Sequence, residues 1–221
     1  MRTNKHFLTL AVCASIFLLS CTKEKQPSGI TYQLKSSSAS ATISARTMNG
    51  SLQWTGGYAS VVEIEFEAKN NNTEIEYKSE IKQRIDLFAP LTTLGVIIIP
   101  SGIYEDIEYE VEIQPNGTDA AFQLNGNFTN RNGVTTSVVF KVNTALEIES
   151  EQTNVTIVDG ASLTAITTLN LSLITTGVTE SMLNNAARTG GVIEISATSN
   201  TAIYNILFNN LRNCSGVEVK Y

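Results

Sequence analysis

Histidine is almost absent from this chain. The single one, His6, sits among the first ten of 221 residues. Cysteine occurs three times, proline four times and tryptophan once, and only four aspartates are present, each isolated. Basic residues number 15 against 21 acidic ones, and that deficit disfavours nucleic acid, whose phosphates require a basic face. The longest apolar run, from Phe7 to Leu19 behind Arg2 and Lys5, is too short for a bilayer span, which needs about 20 residues. A basic start, a short apolar stretch and a small residue, Ser20, are the layout of a secretory signal removed on export. His6 and Cys13 would leave with it, and the exported chain would then hold no histidine. Ser-His-Asp and Cys-His nucleophile activation are thereby excluded, as is histidine-ligated zinc or iron. No cofactor and no metal are expected, and no enzyme activity.

The segment Leu18-Leu19-Ser20-Cys21 resembles the lipobox of bacterial lipoproteins. The resemblance implies cleavage before Cys21 and acylation of that residue; the other reading is an ordinary signal with an incidental cysteine. Several acyl chains on one residue make a near-permanent anchor, whereas one chain alone binds reversibly. Thr22 rather than Asp follows the cysteine, which by analogy with enteric lipoproteins implies the outer membrane. Lys23-Glu24-Lys25 is weakly similar to the charged export tags of Bacteroidota surface lipoproteins, and the choice between periplasmic and cell-surface side stays open. Loss of residues 1–20 removes Arg2 and Lys5 and no acid. The more negative chain that remains disfavours electrostatic docking on anionic lipid, so the expected membrane contact is the lipid on Cys21 alone. Cys214 is then the one remaining thiol, expected to be half-buried and inert, and the core must hold the fold without a disulfide.

Residues 21–40 are polar and Ser-rich, with Pro27-Ser28-Gly29 and Ser36-Ser37-Ser38, and read as a flexible tether. Strands dominate from Ala41 onward. Val62 to Glu67 alternates apolar and acidic residues, Asn70-Asn71-Asn72 turns, and Glu74-Ile75-Glu76-Tyr77 resumes the alternation, which predicts a hairpin. Ile107 to Ile113 and Leu146 to Glu149 alternate in the same way, while Val96 to Ile99 is continuously apolar and reads as a strand buried on both faces. Closely spaced strands with Gly, Pro and Asn punctuation predict a mainly β, antiparallel β-sandwich over 41–160. Residues 161–221 read as a smaller α/β segment packing on it. That segment holds a strand over 163–173, a short helix capped by Thr179, a strand over 192–195, a helix from Asn200 to about Arg212, and a final strand over 217–221.

Two features carry candidate chemistry. Glu63/65/67, Glu74/76, Glu108/110/112 and Glu147/149/151 each lie on one face of a strand. They read as a solvated face, with a cation site or an acidic contact patch as the other reading. Because like charges opposed across a sheet destabilise it, Lys69, Lys78, Lys82 and Arg84 are expected to interleave them. A glycosidase pair could be drawn from the same carboxylates, but nothing marks a desolvated acid or a cleft. The second feature is Leu52-Gln53-Trp54-Thr55-Gly56-Gly57-Tyr58. Trp54 shares strand parity with Leu52, which favours the core, while aromatics beside a Gly-rich loop can form a sugar-stacking platform. Trp54 and Tyr58 are therefore the candidate ligand contacts, and Gly56-Gly57 reads as a turn or bulge.

That segment and Ile99-Pro100-Ser101-Gly102-Ile103-Tyr104 are similar to Bacteroidota lipoproteins of unassigned function, largely immunoglobulin- or transthyretin-like sandwiches. The resemblance implies a fold and not an activity. The function expected is non-catalytic binding in the cell envelope, with glycan recognition ranked first. A structural or assembly lipoprotein that contacts envelope protein partners through an open sheet edge is the alternative.

Overall fold

A computed structural model describes residues 27–37, 40–43, 50–70 and 73–221. Cys21 and the signal lie outside them. Over the described residues the chain is mainly β, in two sheets with three short helices. In order, the strands are β1 (Ser28–Ser37), β2 (Ser40–Ile43), β3 (Gly50–Asn70), β4 (Thr73–Asp86), β5 (Thr92–Ile99), β6 (Gly102–Ile113) and β7 (Phe122–Thr129). Then come β8 (Thr135–Val142), β9 (Leu146–Ile157) and β10 (Ser162–Asn170), with helices α1 (Leu171–Ile174) and α2 (Glu180–Asn184). Strands β11 (Arg188–Thr189) and β12 (Val192–Ile195), helix α3 (Thr201–Leu211) and strand β13 (Ser215–Lys220) complete the chain.

The small sheet has the order β13-β10-β1-β5 and the large one β11-β12-β8-β7-β3-β6-β9, with β2 and β4 also on β3. The 21-residue β3 is the spine. Its first half pairs with β7 and β2, and its second half with β6 and β4. Two bulges, at Trp54/Gly56 and Val61/Glu63, re-phase its side chains. Leu52 and Trp54 face inward, then Ala59 and Val61, then Ile64, Phe66 and Ala68. A bulge adds one residue and so moves the buried set to the other parity.

The interior between the sheets is apolar, threaded by one polar chain. Tyr32 stacks on Tyr109 with ring centroids 4.8 Å apart. The Tyr32 hydroxyl lies 3.0 Å from Thr167 Oγ1, which lies 3.0 Å from Ser150 Oγ. Tyr32 and Thr167 belong to the small sheet and Ser150 to the large one, so these hydroxyls join the two layers. Along one edge, side chains bridge β13 and β9. Ser215 Oγ donates to the Glu149 carbonyl at 2.6 Å, and the Val219 amide donates to Gln152 Oε1 at 2.7 Å. Over the other half of the large sheet, Tyr204 of α3 meets Phe140 of β8 at 6.0 Å.

Several expectations need correction. The stretch expected to be a tether forms β1 from Ser28 to Ser37, an inner strand of the small sheet. Ile30, Tyr32 and Leu34 alternate with Thr31, Gln33 and Lys35 and are buried; the serines around them hid a period-2 pattern. Residues 161–221 are not an attachment to a finished sandwich, because β10 and β13 supply half of the small sheet. The strand expected over 163–173 ends at Asn170, whose side chain caps α1. In β5 the apolar run is not buried on both faces: Leu94, Ile97 and Ile99 are buried, whereas Val96 and Ile98 are exposed. Two pairings, β1 with β10 and β8 with β12, are parallel.

Candidate functional site

Both candidate ligand aromatics belong to β3, and the fold separates them. Trp54 is 1% exposed and packs inward, which overturns its role as a ligand contact. A side chain at Gly126, the residue opposite, would reach within 2.8 Å of the indole Cε3, so the bare glycine seats the ring. The indole Nε1 is buried without a hydrogen-bond partner, a further sign of a packing residue.

Tyr58 lies beyond the bulge and lines an open groove, although its own side chain is only 8% exposed. The groove has a volume of about 490 Å³ and is lined by Thr55, Gly56, Gly57, Tyr58, Arg84, Asp86, Phe88, Gln123 and Asn125. Its floor is β3, where a Cβ on Gly56 would meet nothing within 4 Å. One wall comes from the end of β4, which pairs Asp86 with Tyr58, and the other from β7, which pairs Gln123 with Tyr58 and Asn125 with Gly56. The Tyr58 hydroxyl accepts the Ala120 amide at 3.2 Å. The Arg84 guanidinium covers its ring at 3.8 Å, a cation–π contact, and donates to Asp119 at 3.4 Å. Asp86 Oδ1 accepts the Phe88 amide at 2.8 Å, and Gln123 Nε2 donates to Asn125 Oδ1 at 2.9 Å. The groove is thus a row of planar polar groups in fixed orientations. Sequence reasoning reached Tyr58 but missed Arg84, Asp86, Gln123 and Asn125, which only strand pairing brings together.

The glutamates form rows across four strands of the large sheet. Glu80, Glu63, Glu112 and Glu147 make one row, Lys78, Glu65, Glu110 and Glu149 the next, and Glu76, Glu67, Glu108 and Glu151 a third. Glu74, Lys69, Asp106 and Thr153 close the array. The expected interleaving holds on the β3–β4 side: Lys78 lies 2.7 Å from Glu65, Lys69 lies 2.6 Å from Glu67, and Lys82 lies 2.8 Å from Glu80. Arg84 does not join, being held over Tyr58. Between β6 and β9, glutamate faces glutamate in all three rows. Partial burial, reinforced by Glu147, Glu65, Glu149 and Glu108, pushes the Glu110 carboxyl up to about 7. Burial and the charges of Glu149, Glu67 and Asp106 raise Glu108 as well. Carboxylate oxygens of Glu108, Glu110 and Glu149 lie within 4.8 Å of one another, a spacing that fits protonation of one member as readily as a cation.

Cys214 is buried, and burial pushes its thiol up to about 12; it is more deeply enclosed than expected. Among the described residues no helix is long and apolar enough to cross a membrane. No protein-family model, no curated protein and no solved structure matches the chain.

Proposed function

We propose that this chain is a lipid-anchored, non-catalytic binding protein of the outer membrane, and that its groove at Tyr58 takes a neutral polysaccharide. The observation that carries this reading is the groove's lining: Arg84, Asp86, Gln123 and Asn125 present planar donors and acceptors above a bare glycine floor. Sugar hydroxyls are both donors and acceptors, and a few placed polar groups in a concave site are what fix such a ligand. Arg84 is balanced by Asp86 and Asp119, so the site holds no positive field for a polyanion. The glutamate rows on the same sheet repel polyanions further. Affinity electrophoresis against a panel of neutral and acidic polysaccharides tests this, with wild type compared to Gly56→Leu. A leucine at Gly56 has room within the fold and would occupy the groove. Retardation by a neutral polysaccharide that Gly56→Leu abolishes supports the reading; indifference of wild type to the whole panel refutes it.

One observation favours the assembly reading instead. β5 is the edge of the small sheet, it lies in a stretch from Leu87 to Tyr104 without a charged residue, and Val96 and Ile98 are exposed on it. Such an edge can pair with another strand. Light scattering would give a concentration-dependent oligomer, dissociated by Val96→Lys, if this edge assembles.

A further inference from the structure

We infer that the end of the sandwich around Ser28 is a membrane-contact rim, on which Ile98, Ile103, Val158 and Tyr221 rest in the headgroup layer of a zwitterionic bilayer. This depends on the lipid-anchored reading above and goes beyond it, since acylation alone requires no protein surface against the membrane.

Two independent features coincide at this end. The first is exposure of large apolar side chains: Ile98 is 62% exposed, Ile103 70%, Val158 51% and Tyr221 75%. They belong to different strands that terminate together. Gly29 pairs with Ile98, and Ser28 Oγ donates to the Val158 carbonyl at 2.7 Å. Ile103 pairs with Thr156, whose carbonyl accepts the Tyr221 hydroxyl. Ile98 lies on the outer face of the small sheet and Ile103 on that of the large one. Val158 follows the end of β9, and Tyr221 lies at the β13–β9 seam. The four therefore ring one end of the sandwich instead of forming one lateral patch, and four of the nine exposed large apolar side chains of the described residues collect there.

The second feature is where the chain enters. β1 begins at Ser28, within this ring, seven residues after Cys21. Seven residues reach at most about 25 Å when fully extended, so a lipid on Cys21 holds this end within that distance of the bilayer. Tyrosine with an apolar body and a wet hydroxyl is suited to the interface. The charges nearby are Glu105, Asp106, Asp159 and Lys220, with Lys23, Glu24 and Lys25 between Cys21 and Ser28. Asp159 in the β9–β10 turn limits the depth to the headgroup layer, and the absence of a positive excess selects zwitterionic lipid. The Tyr58 groove lies eleven residues before Lys69 on β3, roughly 35 Å at strand spacing, and so sits well away from this end.

The test uses the full processed and acylated chain in phosphatidylcholine vesicles. An environment-sensitive fluorophore is placed by Ile103→Cys or Val158→Cys, with Val134→Cys, exposed at the opposite end, as the reference. Cys214 is too deeply buried to take the label. A spin label carried on the lipid headgroup should quench the probes at 103 and 158 several-fold more than the probe at 134, with a blue shift only on vesicles. Equal quenching at all three positions, with the protein floating with the vesicles, overturns the rim and leaves the anchor standing. Failure to float overturns both. A blue shift at 103 and 158 without quenching by lipid shows that a second copy or another protein covers this end, and also overturns the rim.

Discussion

Replacing Glu110 with glutamine should stabilise this protein, and more so at alkaline than at mildly acidic pH. Glu110 faces Glu65 on one neighbouring strand and Glu149 on the other. Burial and those charges push its carboxyl from 4.5 up to about 7. The full conversion is about 3 kcal/mol, and because the side chain is only partly buried, screening reduces it to about 1–2 kcal/mol. The folded state binds this proton more tightly than the unfolded state. Glu110 therefore costs nothing below about 4.5, and stability is lost as pH rises through about 7. Glu65, Glu67 and Glu80 are lowered by their hydrogen-bond partners, the lysines among them, and act in the opposite sense at lower pH, so the informative window is pH 5.5 to 8. In thermal melts, Glu110→Gln should raise the Tm at pH 8 by about 3–6 °C, given about 2–4 °C per kcal/mol at this size. The gain should shrink at pH 5.5 and in 1 M salt. An unchanged Tm at pH 8, or the same gain at both pH values, would refute the repulsion.

Other substitutions probe the interior. Thr167→Val keeps the shape but strands the hydroxyl of Tyr32 and leaves Ser150 only its 3.4 Å bond to the Tyr109 carbonyl, and should cost about 1–3 kcal/mol in urea denaturation with an unchanged m-value. Gly126→Ala would place a Cβ 2.4 Å from the Gln53 carbonyl oxygen and 2.8 Å from Trp54. It should cost about 1–3 kcal/mol and shift the tryptophan emission. Cys214, with its thiol pushed up to about 12, should resist Ellman's reagent at pH 8 in the native protein and react at once in denaturant; rapid native labelling would contradict its burial.

Local pattern made much of the fold legible. The strands of alternating glutamate and apolar residues, the hairpin at Asn70, the Thr179 cap and the inward parity of Trp54 all depend on neighbours in sequence, and the structure has each of them. What was hidden depends on partners far along the chain. β1 looked like a tether because only its pairing with β10 and β5 gives its few apolar residues something to cover. The exposure of Val96 and Ile98 follows from the outer face of the small sheet lying open to solvent at β5, which its composition does not reveal. Asn200 does precede α3, yet its side chain makes no cap; it bonds the backbone of Ala187 and Glu194. The groove was illegible for the same reason: Arg84 and Asn125 are forty-one residues apart and meet only across β3, at a bulge. Motif reading named Tyr58 but had no means of naming its neighbours.

The most direct test of the binding reading is solution NMR on the side-chain amides of Gln123 and Asn125 and the guanidinium of Arg84. Spectra would be followed while a neutral oligosaccharide, chosen from the polysaccharide that retards the protein, is titrated in. The account predicts saturable shifts confined to these groups and to the backbone of Gly56 and Gly57, all lost in Gly56→Leu. Shifts that instead map to the glutamate rows or the β5 edge, with the groove amides unmoved, would contradict it.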